Sequence, residues 1–183
     1  SLKLSILDQS PVSEGQSAEE ALKNTVELAQ SAEKWGYTRF WVSEHHDTYS
    51  LAGSSPEVLL AYLAAKTEHI RVGSGGVMLP HYSPYKVAEN FRVLEGLAPG
   101  RIDLGVGRAP GGMPRATIAL NRSRNRNIDD YPEKVEELLQ YLSDDLSETN
   151  PLYGLKASPM VKTVPELWML GSSPASAVLA AKM

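Results

Sequence analysis

Apolar positions along the chain fall into two alternating patterns. Short runs of β type occur at Leu4-Ser5-Ile6-Leu7, Phe40-Trp41-Val42, Ile70-Arg71-Val72, Ile102-Asp103-Leu104-Gly105-Val106 and Leu167-Trp168-Met169-Leu170. Between them lie segments of helical period with clear start signals. Ser17-x-x-Glu20 is a capping box, in which each side chain satisfies the other residue's free backbone N–H. The helix it opens carries Leu22, Val26 and Ala29, then Leu28, Ala32 and Trp35, at helical spacing, and Gly36 supplies the left-handed stop. Three further starts place proline in the first turn, where its missing N–H costs nothing: Ser55-Pro56, Ser83-Pro84 and Ser173-Pro174. The second of these puts Val87, Phe91 and Leu94 on one face. Asp130-x-x-Glu133 opens another helix, with Val135, Leu138, Leu139 and Leu142 as its stripe.

The first four strands begin roughly 30 to 36 residues apart, each followed by a helix, which is the period of a βα unit. Strict alternation implies a parallel sheet with right-handed crossovers, hence an α/β barrel or a doubly wound sheet. The interval before the fifth strand is about twice as long. It holds an Arg-rich irregular stretch, one helix, and a Pro/Gly/Ser linker from Ser143 to Pro165.

Composition narrows the class. The chain has 183 residues, a net charge of −4, 42% hydrophobic residues and 22% charged ones, which is ordinary globular make-up in one domain. The acidic balance disfavours nucleic acid and anionic membrane surfaces as partners. With no cysteine, disulfide scaffolds, zinc–thiolate sites, iron–sulfur clusters and cysteine nucleophiles are excluded. No apolar run reaches the roughly 18 residues of a membrane span, and Ser1-Leu2-Lys3-Leu4 lacks a signal-peptide layout. The expectation is a cytoplasmic protein. The final helical run, Ala177 to Met183, stops without a cap signal, so a C-terminally incomplete domain over 1–183 is expected.

In a parallel α/β fold, chemistry collects at the C-terminal ends of the strands. Strand one ends in Asp8-Gln9-Ser10-Pro11, which suits a pocket or plain turn chemistry. Strand two ends in Ser43-Glu44-His45-His46-Asp47, the densest titratable cluster in the sequence. Adjacent residues on an extended segment point to opposite sides, so His45 and His46 are poorly placed to share one metal ion, and His69 and His81 lie elsewhere in the sequence. Proton transfer by a histidine beside a carboxylate fits better, against a structural histidine as the alternative. Strand three runs into Gly73-Ser74-Gly75-Gly76, which suits close approach by a flat ligand or another backbone, or plain backbone economy at a turn.

After strand four, Gly105-Val106-Gly107-Arg108-Ala109-Pro110 fails as a dinucleotide fingerprint, because Pro110 stands at the third glycine position. Six arginines crowd between Arg101 and Arg126. They suit a compact anion such as phosphate, or a solvated loop balanced by the acids that follow. Strand five ends in Gly171-Ser172-Ser173 before a helix start, which makes a phosphate cup or a simple cap.

In order, these segments resemble the bacterial luciferase-like flavin monooxygenase family, over nearly the whole chain. The resemblance is carried by Gly36-Tyr37-x-x-Phe40-Trp41-Val42-Ser43-Glu44-His45-His46, Val72-Gly73-Ser74-Gly75-Gly76-Val77-Met78-Leu79-Pro80, Gly100-Arg101-Ile102-Asp103-Leu104-Gly105-Val106-Gly107-Arg108 and Gly171-Ser172-Ser173. It implies a TIM (β/α)8-type barrel, of which about the first five strands are present here. It also implies a monooxygenase that takes reduced FMN as co-substrate and O2, fed by a separate flavin reductase, acting on a small organic substrate, and assembled as a homodimer. By position His45 matches the family's active-site histidine, with Glu44 and His46 shaping the same pocket. Gly75 and Gly76 match a small-residue pair, often a cis peptide, against the flavin ring. Arg108, Ser172 and Ser173 match phosphate-binding positions, with Arg124 chosen over Arg122 and Arg126 as a second phosphate arginine. No metal is implied. The alternative is a non-catalytic FMN-binding protein of the same fold, and a metal-dependent barrel hydrolase using Glu44, His45 and His46 is a third reading.

Overall fold

The structure, a computed structural model, describes residues 1–108, 112–122, 129–171 and 181. It contains a parallel sheet of five strands, β1 (Ser5–Asp8), β2 (Arg39–Val42), β3 (Arg71–Met78), β4 (Ile102–Gly107) and β5 (Glu166–Met169), paired in chain order. Consecutive order is the singly wound arrangement of a barrel wall. A doubly wound sheet would reverse direction at a switch point. Crossovers between neighbouring parallel strands are right-handed as a rule, which stacks the helices on one face of such a sheet and leaves the other as its inner face. Burial follows that division. Phe40, Val42, Val72, Val77, Ile102, Leu104 and Val106 are buried against the helices, while Leu7 on the inner face is 54% exposed.

The helices are α1 (Ala18–Lys34), α2 (Pro56–Lys66), α3 (Pro84–Leu97), α4 (Pro114–Leu120) and α5 (Tyr131–Leu142). The capping box of α1 forms in full, with Glu20 N donating to Ser17 Oγ (3.1 Å) and Ser17 N to Glu20 Oε2 (3.0 Å). Gly36 takes φ +82° after its end. The buried stripe of α1 is offset from the one expected. Ala21, Thr25, Ala29 and Ala32 face the core, while Trp35 is exposed, because small residues let the helix lie close to the sheet. In α3, Val87, Phe91 and Leu94 are buried as their spacing predicts, and in α5 Val135, Leu138 and Leu142 are.

Two elements differ from the sequence reading. β3 runs on through its glycines to Met78, because residues 73–76 keep extended geometry without any β-forming side chain to announce it. The Arg-rich stretch contains α4, whose N-cap is Met113 with no capping side chain, so nothing in the sequence marks its start. The linker is fastened from beneath by buried Arg92, which donates to Ala157 O (2.5 Å) and Leu142 O (3.3 Å) and pairs with Asp144. Among the described residues, no helix is long and apolar enough to cross a membrane. The expected helix start at Ser173-Pro174 and, apart from Ala181, the final run to Met183 lie outside the described residues.

Candidate active site

At the end of β1 the chain turns back on itself. Asp8 Oδ2 accepts from Thr25 Oγ1 of α1 (2.6 Å) and from Ser10 N (3.1 Å), and Ser10 sits at φ +52° with its hydroxyl 2.7 Å from Thr25. This is turn chemistry that locks β1 to α1.

The end of β2 is different. Ser43 and Glu44 are buried, and His45 and His46 are half-buried. The two imidazoles take separate partners, as alternation along an extended segment requires. His45 Nδ1 lies 3.1 Å from Ser43 Oγ, and His46 Nε2 lies 2.6 Å from Glu44 Oε2. Glu44 also accepts from Met78 N at the end of β3 (3.2 Å) and from the Tyr82 hydroxyl (2.7 Å). The His81 ring lies 6.3 Å from that of His46, and its Nδ1 accepts from Asn121 Nδ2 (2.7 Å) at the end of α4. The sequence reading set His81 apart from the pair. The fold brings it alongside, because the short helical turn Leu79–His81 folds the chain back over the strand ends. His69 is exposed beside Glu68.

Neighbouring charges act on this cluster. Burial chiefly, and then the Glu44 carboxylate, push the Tyr82 hydroxyl above the ordinary tyrosine range. Burial also raises Glu57 of α2 above its usual value; its own backbone hydrogen bond and His46 oppose that, and Glu44 adds to it. Asp47, next along the chain, sits at φ +55° and takes both Nε (2.5 Å) and Nη2 (2.7 Å) of Arg115, a hydrogen-bonded pairing that holds its carboxyl below the usual range.

Gly75 and Gly76 are joined by a cis peptide bond in the middle of β3, where the register against β4 shifts between Ser74 and Val77. A Cβ on Gly76 would lie 2.6 Å from Leu170 Cδ1 and 2.8 Å from Gly105 O, so only glycine fits there. The inner face around this pair is apolar and aromatic. Gly75 adjoins Leu7 and Trp41, and the Trp41 and Trp168 rings meet edge to face at 5.2 Å. Trp168 Nε1 is enclosed and has no hydrogen-bond partner among the described residues. A flat ring with acceptor atoms suits such a face.

Among the described residues, Arg101, Arg108 and Arg115 turn to separate partners. Arg101 lies at the opposite end of the sheet, donating to Ile70 O (3.1 Å) and Thr67 Oγ1 (2.6 Å) beneath β3. Its role is structural, and only spatial information separates it from the others. Arg108 follows β4 directly; it pairs with Asp129 and its guanidinium lies 5.3 Å from the Tyr131 ring centre. Arg122 is exposed. Arg124, Ser172 and Ser173 lie outside the described residues. The sequence reading did not single out Tyr82, Asn121 or Asp129. Nothing local marks them, since each joins the site through a partner distant in sequence.

A wall of five parallel strands paired in chain order, with titratable side chains gathered at its C-terminal edge, has the architecture of a TIM-type barrel. A family profile for luciferase-like monooxygenases matches residues 2–183, and the chain belongs to that family. It is 65% identical over 181 residues to protein YwcH of Bacillus subtilis, covering 99% of this chain and 54% of that one. To the N-acetyl-S-alkylcysteine monooxygenase of the same organism it is 53% identical over 182 residues, covering 100% of this chain and 54% of the relative. Among solved structures, apo-MsnO8 superposes with a TM-score of 0.87 at 46% identity, over 98% of this chain and 52% of that chain. The oxygenating constituent of 3,6-diketocamphane monooxygenase of Pseudomonas putida, solved in complex with FMN, gives 0.63 at 26% identity, over 75% of this chain and 37% of that one. The chain thus spans about half the length of the curated relatives it matches.

Proposed function

We propose that residues 1–183 form a barrel domain carrying the active-site histidines and part of the flavin site of an FMN-dependent monooxygenase that oxygenates a small organic substrate. One observation carries the reading: the Glu44–His45–His46 cluster just past β2 stands beside β3, which carries the Gly75–Gly76 pair, and the Met78 N–H to Glu44 bond ties the two segments together. When bound, reduced FMN supplies two electrons and two protons, so that one atom of O2 enters the substrate and the other leaves as water. Gly75 and Gly76 would lie along the flavin ring. Arg108 would hold the phosphate, turning from or sharing Asp129, together with Arg124, Ser172 and Ser173.

The protein's own residues then have defined tasks. Ser43 Oγ engages His45 Nδ1, which leaves Nε2 as the atom of that ring free to take or return a proton. Glu44 orients His46, and the aromatic inner face keeps water from the reacting centre. A separate reductase supplies the reduced flavin, and the working form is a cytoplasmic homodimer.

The test uses full-length protein. Added FMN should lose fluorescence on binding, and reduced FMN with O2 and N-acetyl-S-alkylcysteine, the thioether class named for the relative, should yield an oxygenated product. His45→Ala should leave the FMN dissociation constant within about 2-fold while lowering kcat on the order of 100-fold, the contribution expected of one acid–base group. Absence of FMN binding would overturn the reading. Binding without product from any of a panel of thioethers, aldehydes, sulfonates and ketones would favour a non-catalytic FMN-binding protein.

A further inference from the structure

Glu44 is 2% exposed, and three donors converge on it. Met78 N–H meets Oε1, while the Tyr82 hydroxyl and His46 Nε2 both meet Oε2. A carboxylate only accepts, so each shared proton belongs to the partner. His46 therefore carries a proton on Nε2, and in its neutral form Nδ1 bears the lone pair. The resemblance gives His46 and Glu44 a place in the pocket but no tautomer, and it gives Tyr82 no place at all.

The surroundings leave Tyr82 little freedom. Its ring packs edge to face on His81 at 6.0 Å, and it lines a cavity of about 310 Å³ together with Glu57, His81 and Lys86. Among the described residues, the charged and titratable groups around the Glu44–His46 pair include Tyr82, His81, Glu57 and Lys86. Because burial and Glu44 both disfavour its ionised form, Tyr82 stays a donor to the carboxylate. One oxygen held by two donors, with the other held by a backbone N–H, leaves the Glu44 carboxylate a single orientation.

We propose that Tyr82 is a positioning residue for His46: with Met78 N–H it fixes the Glu44 carboxylate so that Oε2 receives the His46 Nε2–H, making Nδ1 of His46 a second proton acceptor in the site. The consequence for turnover rests on the flavin-monooxygenase reading; the tautomer does not.

The experiment reads imidazole nitrogen resonances in the full-length protein, with the His46 signal assigned by its loss in His46→Gln. The parent should show Nε2–H at His46. Glu44→Gln should reverse it, for a stated reason. The carboxamide oxygen must face Met78 N–H, which cannot accept, so the NH2 group stands where Oε2 stood and His46 must accept at Nε2 and carry its proton on Nδ1.

Tyr82→Phe should keep the Nε2–H tautomer. Its Nε2 proton, held now against a freer carboxylate, should exchange with water at least about 10-fold faster, with kcat lower on the order of 10-fold and the FMN dissociation constant unchanged. A purely structural tyrosine would not move the exchange rate of one imidazole proton while the amide spectrum stays the same. An Nδ1–H parent, no reversal in Glu44→Gln, or unchanged exchange in Tyr82→Phe would overturn the proposal. If the resonances behave as stated but the parent oxygenates nothing, the positioning stands and the functional reading fails.

Discussion

Asp103 and Glu44 are enclosed carboxylates at opposite ends of one sheet, and they are held by opposite kinds of partner. Asp103, near the start of β4, has no side-chain exposure; Arg39 Nε meets Oδ2 at 3.0 Å, Arg71 Nε meets Oδ1 at 2.9 Å, and Trp41 Nε1 meets Oδ2 at 2.9 Å. Glu166 of β5 extends the network through Arg39. Glu44, just past β2, is held by an imidazole, a phenol and a backbone N–H. A guanidinium does not release its proton in a protein, so the Asp103 end is a fixed ionic tie between strands. Imidazole can exchange a proton near neutrality, so the Glu44 end can take part in chemistry. The same sheet thus separates stability from reactivity by the choice of the acid's partners, along the axis expected of a barrel.

That contrast predicts unequal costs of deletion. Asp103→Ala would take the buried partner from two half-buried arginines, Arg39 and Arg71, which Glu166 still reaches, and the expected loss is about 3 kcal/mol, the low end of the range for breaking a buried ion pair by removing one partner. Chemical denaturation measures it, and turnover per folded molecule should hold. Glu44→Ala leaves only neutral donors unmatched, so about 1 to 3 kcal/mol is expected, with activity nearly abolished as His46 loses its orientation. Equal destabilisation by the two variants, or retained activity in the second, would remove the distinction between the ends.

The two ends also differ in how far they can be read from sequence. Trp41-x-x-Glu44-His45-His46 is contiguous, so the acid and its imidazole announce themselves together, and their position after a β run places them at the reactive edge. The strands, the α1 capping box and the α3 stripe were legible for the same reason: period and caps are local. Asp103 gave no such sign, because Arg39 and Arg71 reach it from two other strands and single charges within β runs look like solvent-facing positions. Tyr82 escaped notice likewise, lying 38 residues from the carboxylate it serves. The density of arginines along the chain offered one anion site or a solvated loop; among the described residues, Arg101, Arg108 and Arg115 turn to Thr67, Asp129 and Asp47 in separate places. The stripe of α1 shifted because burial there favours alanine, which carries little hydrophobic weight in a pattern.

Glu57 offers the smallest effect and the finest probe of the reactive end. It lies half-buried on α2, and burial, with repulsion from Glu44, outweighs its backbone hydrogen bond and His46 to lift its carboxyl above the ordinary glutamate value of 4.5. A raised carboxyl pKa means that the folded protein binds this proton more tightly than the unfolded chain does. The associated stability is therefore fully present below pH 4.5 and is lost as pH rises through the raised folded value. Glu57→Gln has no such proton to lose. Its melting temperature should exceed the parent's near neutrality, with the gap closing as pH falls below the ordinary glutamate value. The part of the gap owed to Glu44 should disappear when the same substitution is made in Glu44→Gln, which removes the neighbouring charge. Thermal melts of the four proteins across pH measure both terms. A gap independent of pH would show that Glu57 does not sense its burial, and one unaffected by Glu44→Gln would confine the charge of Glu44 to its three hydrogen-bonded partners.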